Sequence, residues 1–154
     1  MKKIPRLPKY YMDGDMKGKV SMSENQKTLE NLLVDEQEMH EEILHDLLEE
    51  YIRIGKQSGD LIPQDLFRDL TAKKKTLIVL LAQKARAELD MVDTKWMTPG
   101  EISTQSGVNQ NTVYPTVREL DNEGLAESDD GAYRIPSHSI DQVRDYINEG
   151  DTDE

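Results

Sequence analysis

No cysteine occurs anywhere in the chain. That absence removes disulfide staples, thiolate metal centres, zinc fingers and cysteine nucleophiles together. Aromatic residues are scarce as well, with one Trp, one Phe and six Tyr making 5% of the sequence. Because hydrophobic residues are only 36% and charged residues 32%, any core has to be modest, helix-rich and built from Leu, Ile and Val. Long apolar runs are missing too. The longest, residues 77–82, falls far short of the roughly 20 residues needed to cross a bilayer, so no membrane association is expected. Lys2, Lys3, Arg6 and Lys9 are followed by no apolar stretch, so the start does not read as a signal peptide. A reducing, cytoplasmic setting is the expectation. At 154 residues the chain fits one compact domain with an appended helical segment and loose ends, and is too short for a multidomain enzyme.

Positive charge is also in short supply. Nineteen Lys and Arg face 31 Asp and Glu, for a net charge of -12. The distribution is uneven. Residues 1–27 hold seven basic and three acidic side chains, net +4, and the remainder holds 12 basic and 28 acidic, net -16. Such an acidic body reads first as adaptation to concentrated salt, where the short Debye length blunts repulsion from phosphate. The other reading is a domain that contacts proteins.

Residues 1–27 mix Pro5, Pro8, Gly14 and Gly18 with basic and polar residues and show no apolar period, which predicts a disordered basic arm. Met22-Ser23-Glu24-Asn25 is an alternative start, which would make residues 1–21 dispensable. Residues 28–70 read as an acidic helical extension. Leu29, Leu32, Leu33, Met39, Ile43, Leu44, Leu47, Leu48 and Tyr51 recur at three- and four-residue spacing among carboxylates, predicting an amphipathic helix over 28–51, interrupted near Asp35. Its stripe must bury against the downstream domain or a second copy of the chain. A short hairpin with a glycine-bounded turn at Gly55 and Gly59 follows, and Pro63 is expected in the first turn of a short helix ending at Leu70.

Residues 71–148 carry the strongest local signals. Thr71 caps a helix with Leu77, Ile78, Leu80, Leu81, Ala85 and Leu89 as its apolar face, and Lys73, Lys74 and Lys75 in an exposed first turn. Thr98-Pro99-Gly100-Glu101 is a capping box with proline at the first helical position. That helix is short, has Ile102 as its core residue, and stops at Gly107, which can take the positive φ of a tight inter-helix turn. Asn109 caps the next helix, whose inward residues Val113, Val117 and Leu120 lie four and three apart and which ends at Gly124. Its outward side holds Gln110, Asn111, Thr112, Tyr114 and Arg118. Asn and Gln can pair with adenine edges and Arg with guanine, and the first turns of such a helix are the part that enters the major groove. Residues 126–135 form a hairpin around Asp129-Asp130-Gly131, from which Tyr133 or Arg134 can reach a flanking phosphate or the minor groove. Ser139 with Gln142 makes a second capping box before a last helix facing inward through Ile140, Val143 and Ile147, and residues 149–154 are expected to be a disordered tail.

Thr98-Pro99-Gly100-Glu101-Ile102, Ser106-Gly107-Val108 and residues 111–125 resemble the helix-turn-helix of PadR- and MarR-type winged-helix regulators. Val113-Tyr114-Pro115 is especially similar to the PadR recognition helix. The chain as a whole is similar to small winged-helix proteins of halophilic archaea. The resemblance implies a mainly α fold, a winged helix-turn-helix with a three-helix core and a β-hairpin wing. It also implies double-stranded DNA as partner, and a homodimer that sets two recognition helices on successive major grooves. Lys73, Lys74 and Arg134 are the candidate backbone contacts. An adaptor of transcription or replication machinery, meeting a basic protein through its acidic helix, is the alternative, and a plasmid- or virus-borne control protein is a third.

No catalytic, cofactor or metal residue is expected. His40-Glu41-Glu42-Ile43-Leu44-His45 approaches a zinc-protease motif, but five helical residues turn through about 500°, leaving the imidazoles about 140° apart. Gly55-Lys56-Gln57-Ser58 lacks the earlier glycine of a phosphate loop and has Gln where magnesium needs a hydroxyl. His138 sits in a loop without a nucleophile elbow, and the paired carboxylates Glu41-Glu42 and Glu49-Glu50 belong to a solvated acidic helix.

Overall fold

A computed structural model describes residues 28–149. The arm expected over residues 1–27 and the tail beyond Glu149 lie outside the described residues. The chain divides into two units, Met1–Glu36 and Gln37–Glu154. The described part of the first contains one 3-10 turn, Leu29–Leu32. Leu29, Leu32, Leu33 and Val34 are exposed there, so the stripe predicted to start at Leu29 is not buried over these residues. The interruption expected near Asp35 is real, for the regular helix α1 covers only Glu36–Glu49 and buries Leu44, Leu47 and Leu48.

Downstream of α1, strands β1 (Ile52–Ile54) and β2 (Leu61–Pro63) pair antiparallel, Ile52 opposite Pro63 and Ile54 opposite Leu61. The turn between them closes through Gly55 N–H to Asp60 O and Gly59 N–H to Gly55 O, both 2.8 Å. Pro63 was expected to open a helix and instead ends β2. The neighbouring Gln64 N–H donates to Tyr51 O, so by antiparallel alternation Pro63 occupies a non-hydrogen-bonded pair and its missing N–H costs the ladder nothing. The short helix α2 (Asp65–Arg68) then starts after Gln64 and drives Phe67 inward.

The centre of the second unit is α3 (Ala72–Glu88). Leu77, Ile78, Val79, Leu80, Leu81 and Ala82 are all fully buried, so the helix is covered on every side rather than along one stripe. Against it pack α4 (Pro99–Ser106) and α5 (Gln110–Asn122), which also pack on each other. The capping box is complete: Glu101 N–H donates to Thr98 Oγ1 at 3.2 Å and Thr98 N–H to Glu101 Oε1 at 2.9 Å. Gly107 ends α4 at φ +78°, and the Ser103 hydroxyl ties across the turn to Val108 O at 2.6 Å. Asn109 caps α5 by accepting from Asn111 N–H. Pro115 lies inside α5 on its exposed side, where the lost hydrogen bond leaves a carbonyl facing water.

Strands β3 (Glu127–Asp129) and β4 (Ala132–Arg134) form a second antiparallel pair. Asp130 and Gly131 link them with φ of +53° and +83°, the backbone of a tight two-residue hairpin loop. Met97 adds a bridge to Tyr133 on the far side of β4, which fixes the hairpin to the chain entering α4. The last helix, α6 (Ile140–Asn148), buries Ile140, Val143 and Ile147. Its predicted capping box is absent. Ser139 makes no cap hydrogen bond because its fully buried hydroxyl donates to Gly124 O at 2.9 Å, joining the end of α5 to the start of α6. The fold is thus mainly helical with two small antiparallel sheets, and no helix of the described residues is long and apolar enough to cross a membrane.

Candidate nucleic-acid interface

Helix α5 sorts its residues by period. Val113, Thr116, Val117 and Leu120 face α3 and α4, while Gln110, Asn111, Thr112, Tyr114 and Arg118 are exposed. The five α5 side chains expected at the interface therefore share the free side of one helix. Gln110 Nε2 donates to Tyr114 Oη at 3.0 Å one turn along, which holds the phenol and the amide together as a small polar platform. Thr116, not anticipated as an inward residue, turns its hydroxyl back to Thr112 O at 2.8 Å and buries its methyl group. Its polarity hid it from an apolar periodicity count.

The lysines at the start of α3 are not the exposed triplet expected of them. Lys74 is only 5% exposed, and its ammonium donates to Glu149 O at 3.0 Å. Lys73 pairs with Glu119 at 3.2 Å and Glu123 at 2.9 Å, and lies 5.1 Å from the centre of the Tyr146 ring. Burial pulls its pKa down, but the hydrogen bonds to Glu123 and Glu119 outweigh that and raise it above 10.5. The physical cause of both corrections is that α5 and α6 close over the first turn of α3. Lys73 thereby becomes a clamp between α3 and α5 that neutralises carboxylates next to Arg118.

Arg134 on β4 is half-buried. Its Nε donates to Glu127 on β3 and its guanidinium stacks 4.5 Å from the centre of the Trp96 ring, a geometry that immobilises an otherwise floppy side chain. It borders an open cleft of about 510 Å³ together with Trp96, Lys95 and Asp93. Trp96 was not singled out from the sequence, where a lone aromatic before a helix cap carries no pattern.

Elsewhere, α1 brings His45, Asp46 and Glu49 within 4.8 Å of one another, all exposed. His45 Nδ1 sits 3.0 Å from Asp46 Oδ1, and that hydrogen bond, then the charge of Glu49, raises the imidazole pKa above 6.5. The cluster differs from the His40 and His45 pairing weighed in the sequence. Two cations on α3 were also missed. Lys84 donates to Ile135 O at 3.2 Å, and Arg86 donates to Gln83 Oε1 at 2.6 Å and Gly59 O at 3.1 Å, both buried. No protein-family model, no curated protein and no solved structure matches the chain.

Proposed function

We propose that the chain is a non-enzymatic DNA-binding regulator of the winged helix-turn-helix type, with α3, α4 and α5 as its three-helix core, α5 as recognition helix, and the β3–β4 hairpin as wing. The observation that carries the reading is the free polar side of α5, where Gln110, Asn111, Tyr114 and Arg118 face solvent on a helix anchored by its opposite side. Amide and guanidinium groups at the first turns of such a helix suit base edges in the major groove. Arg134, held by Glu127 and Trp96, suits a flanking phosphate. Two copies would read two half-sites.

Selection of bound fragments from random duplex DNA, in moderate and in molar potassium salt, tests this directly. On a selected duplex, Asn111→Ala and Arg118→Ala should each weaken binding by about 10- to 100-fold, the value of one lost bidentate base contact, with unchanged unfolding midpoints. Unaltered affinity for every duplex at matched salt in both variants sinks the reading. The charge of the site favours a second one. Glu119 and Asp121 follow Arg118 on α5, Glu123 caps its end, and Asp129 and Asp130 occupy the hairpin tip, so a basic protein surface is the competing partner.

A further inference from the structure

We propose that the groove between α1, β1 and the last turn of α3 is a binding site for a small apolar cation. The groove encloses about 440 Å³, within the ordinary range of small-molecule sites, and all of its lining residues belong to the second unit. Leu44, Leu48 and Ile52 form its buried floor, and Leu89, 62% exposed, forms one lip. Water on such a floor is displaced favourably by an apolar body.

The charge of the rim selects the sign of the occupant. Glu41, Glu49 and Glu88 border the groove, and Arg53 is the one Lys or Arg among its lining residues. Arg53 is turned onto the backbone, its Nη1 donating to the carbonyls of Glu49 and Ile52. Glu88 shares its charge with Lys95 at 3.0 Å and Glu49 lies 3.7 Å from His45 Nδ1, itself a lining residue, so Glu41, and Glu49 in part, face a ligand. Beyond them α1 carries four more carboxylates and no Lys or Arg. An anionic ligand meets that field as repulsion. A second copy docking through its own α1 would set carboxylates against carboxylates, a juxtaposition that disfavours association. A cation with apolar substituents satisfies floor and rim at once.

Tetraphenylphosphonium and tetraphenylborate, nearly equal in shape and opposite in charge, are the probes. Calorimetric titration of the full chain without DNA should give one saturable site for the phosphonium and an affinity for the borate about tenfold weaker or less. Glu41→Gln with Glu49→Gln should lower phosphonium affinity about fivefold or more, because a carboxylate attracts a cation far more than its amide does. Leu89→Arg changes an exposed position, so the unfolding midpoint should hold while phosphonium affinity falls about tenfold or more. Equal binding of the two ions overturns the proposal, as does a Leu89→Arg variant that binds as well as the parent. Sedimentation showing a dimer that Leu89→Arg disperses also overturns it, because a second copy then covers the groove. None of these outcomes depends on whether α5 reads DNA.

Discussion

Lys84 is the side chain whose position is hardest to reconcile with ordinary solvation. It is buried on α3, and its ammonium is bound to Ile135 O just past β4, so a charge is used to hold the hairpin against the core. Desolvation, then the nearby cations Lys95 and Arg134, lower its pKa below 10.5. The unfolded chain therefore holds this proton more tightly than the folded one. Between the folded value and 10.5, stability at this position rises with pH, because the unfolded state binds the extra proton. Lys84→Met deletes the titration and leaves Ile135 O without its donor, a loss of about 1 kcal/mol. Urea unfolding of both proteins in steps from neutral to alkaline pH should show the wild type gaining on the variant as pH approaches 10.5. A constant difference across that range refutes the assignment.

The clamp from Lys73 on α3 to Glu119 on α5 and Glu123 at its C-cap ties two helices and trims the acidity of the proposed DNA-reading surface. Ion pairs with solvent access stabilise by about 0–1 kcal/mol, so Lys73→Met should move the unfolding midpoint little. Its effect belongs to binding. With the ammonium gone, two uncompensated carboxylates stand beside Arg118, and anisotropy titration with a selected duplex should show affinity falling several-fold in dilute salt and converging with the parent near 1 M, where the Debye length is about 3 Å. Undiminished affinity in dilute salt would remove Lys73 from the interface. This contact spans 46 residues of sequence, and such distances separate what could be read in advance from what could not. The Thr98–Glu101 box, the Asn109 cap, Gly107 and the Asp130-Gly131 turn depend on neighbours within a few residues, so residue type alone implied their structure. The free side of α5 followed from helical period. Pro63 was ambiguous because proline suits both a first helical turn and an unpaired strand position, and the choice rests on Tyr51 O. Ser139 was misread because its hydroxyl is taken by Gly124 O, outside its own helix. Lys73 and Lys74 looked solvated because nothing local announces that α5 and α6 close over them.

Charge governs the molecule as a whole. A net of -12 over 154 residues sets up self-repulsion that opposes the compact state, and the same field opposes approach to DNA. Salt should therefore act in two directions at once. Screening shortens the Debye length from about 10 Å at 0.1 M to about 3 Å at 1 M, which relieves the repulsion and stabilises the fold. Each 1 kcal/mol gained raises Tm by about 2–4 °C in a chain of this size, and a rise of at least that amount is expected across this range in potassium chloride. Sodium chloride should match it, since ionic strength is the cause. DNA binding responds through two opposed effects. Each phosphate neutralised contributes a slope of about -0.9 in log K against log salt, and Arg134 of each of two copies supplies one such contact, for about -2 in all. Relief of repulsion from the acidic body offsets part of that loss, so the measured slope should be shallower than -2 by this count. A slope near -6 would require several more cations at the phosphates. The basic residues 1–27, with seven Lys and Arg, are the place in the sequence with enough of them, and α5 would then be a minor contributor to affinity.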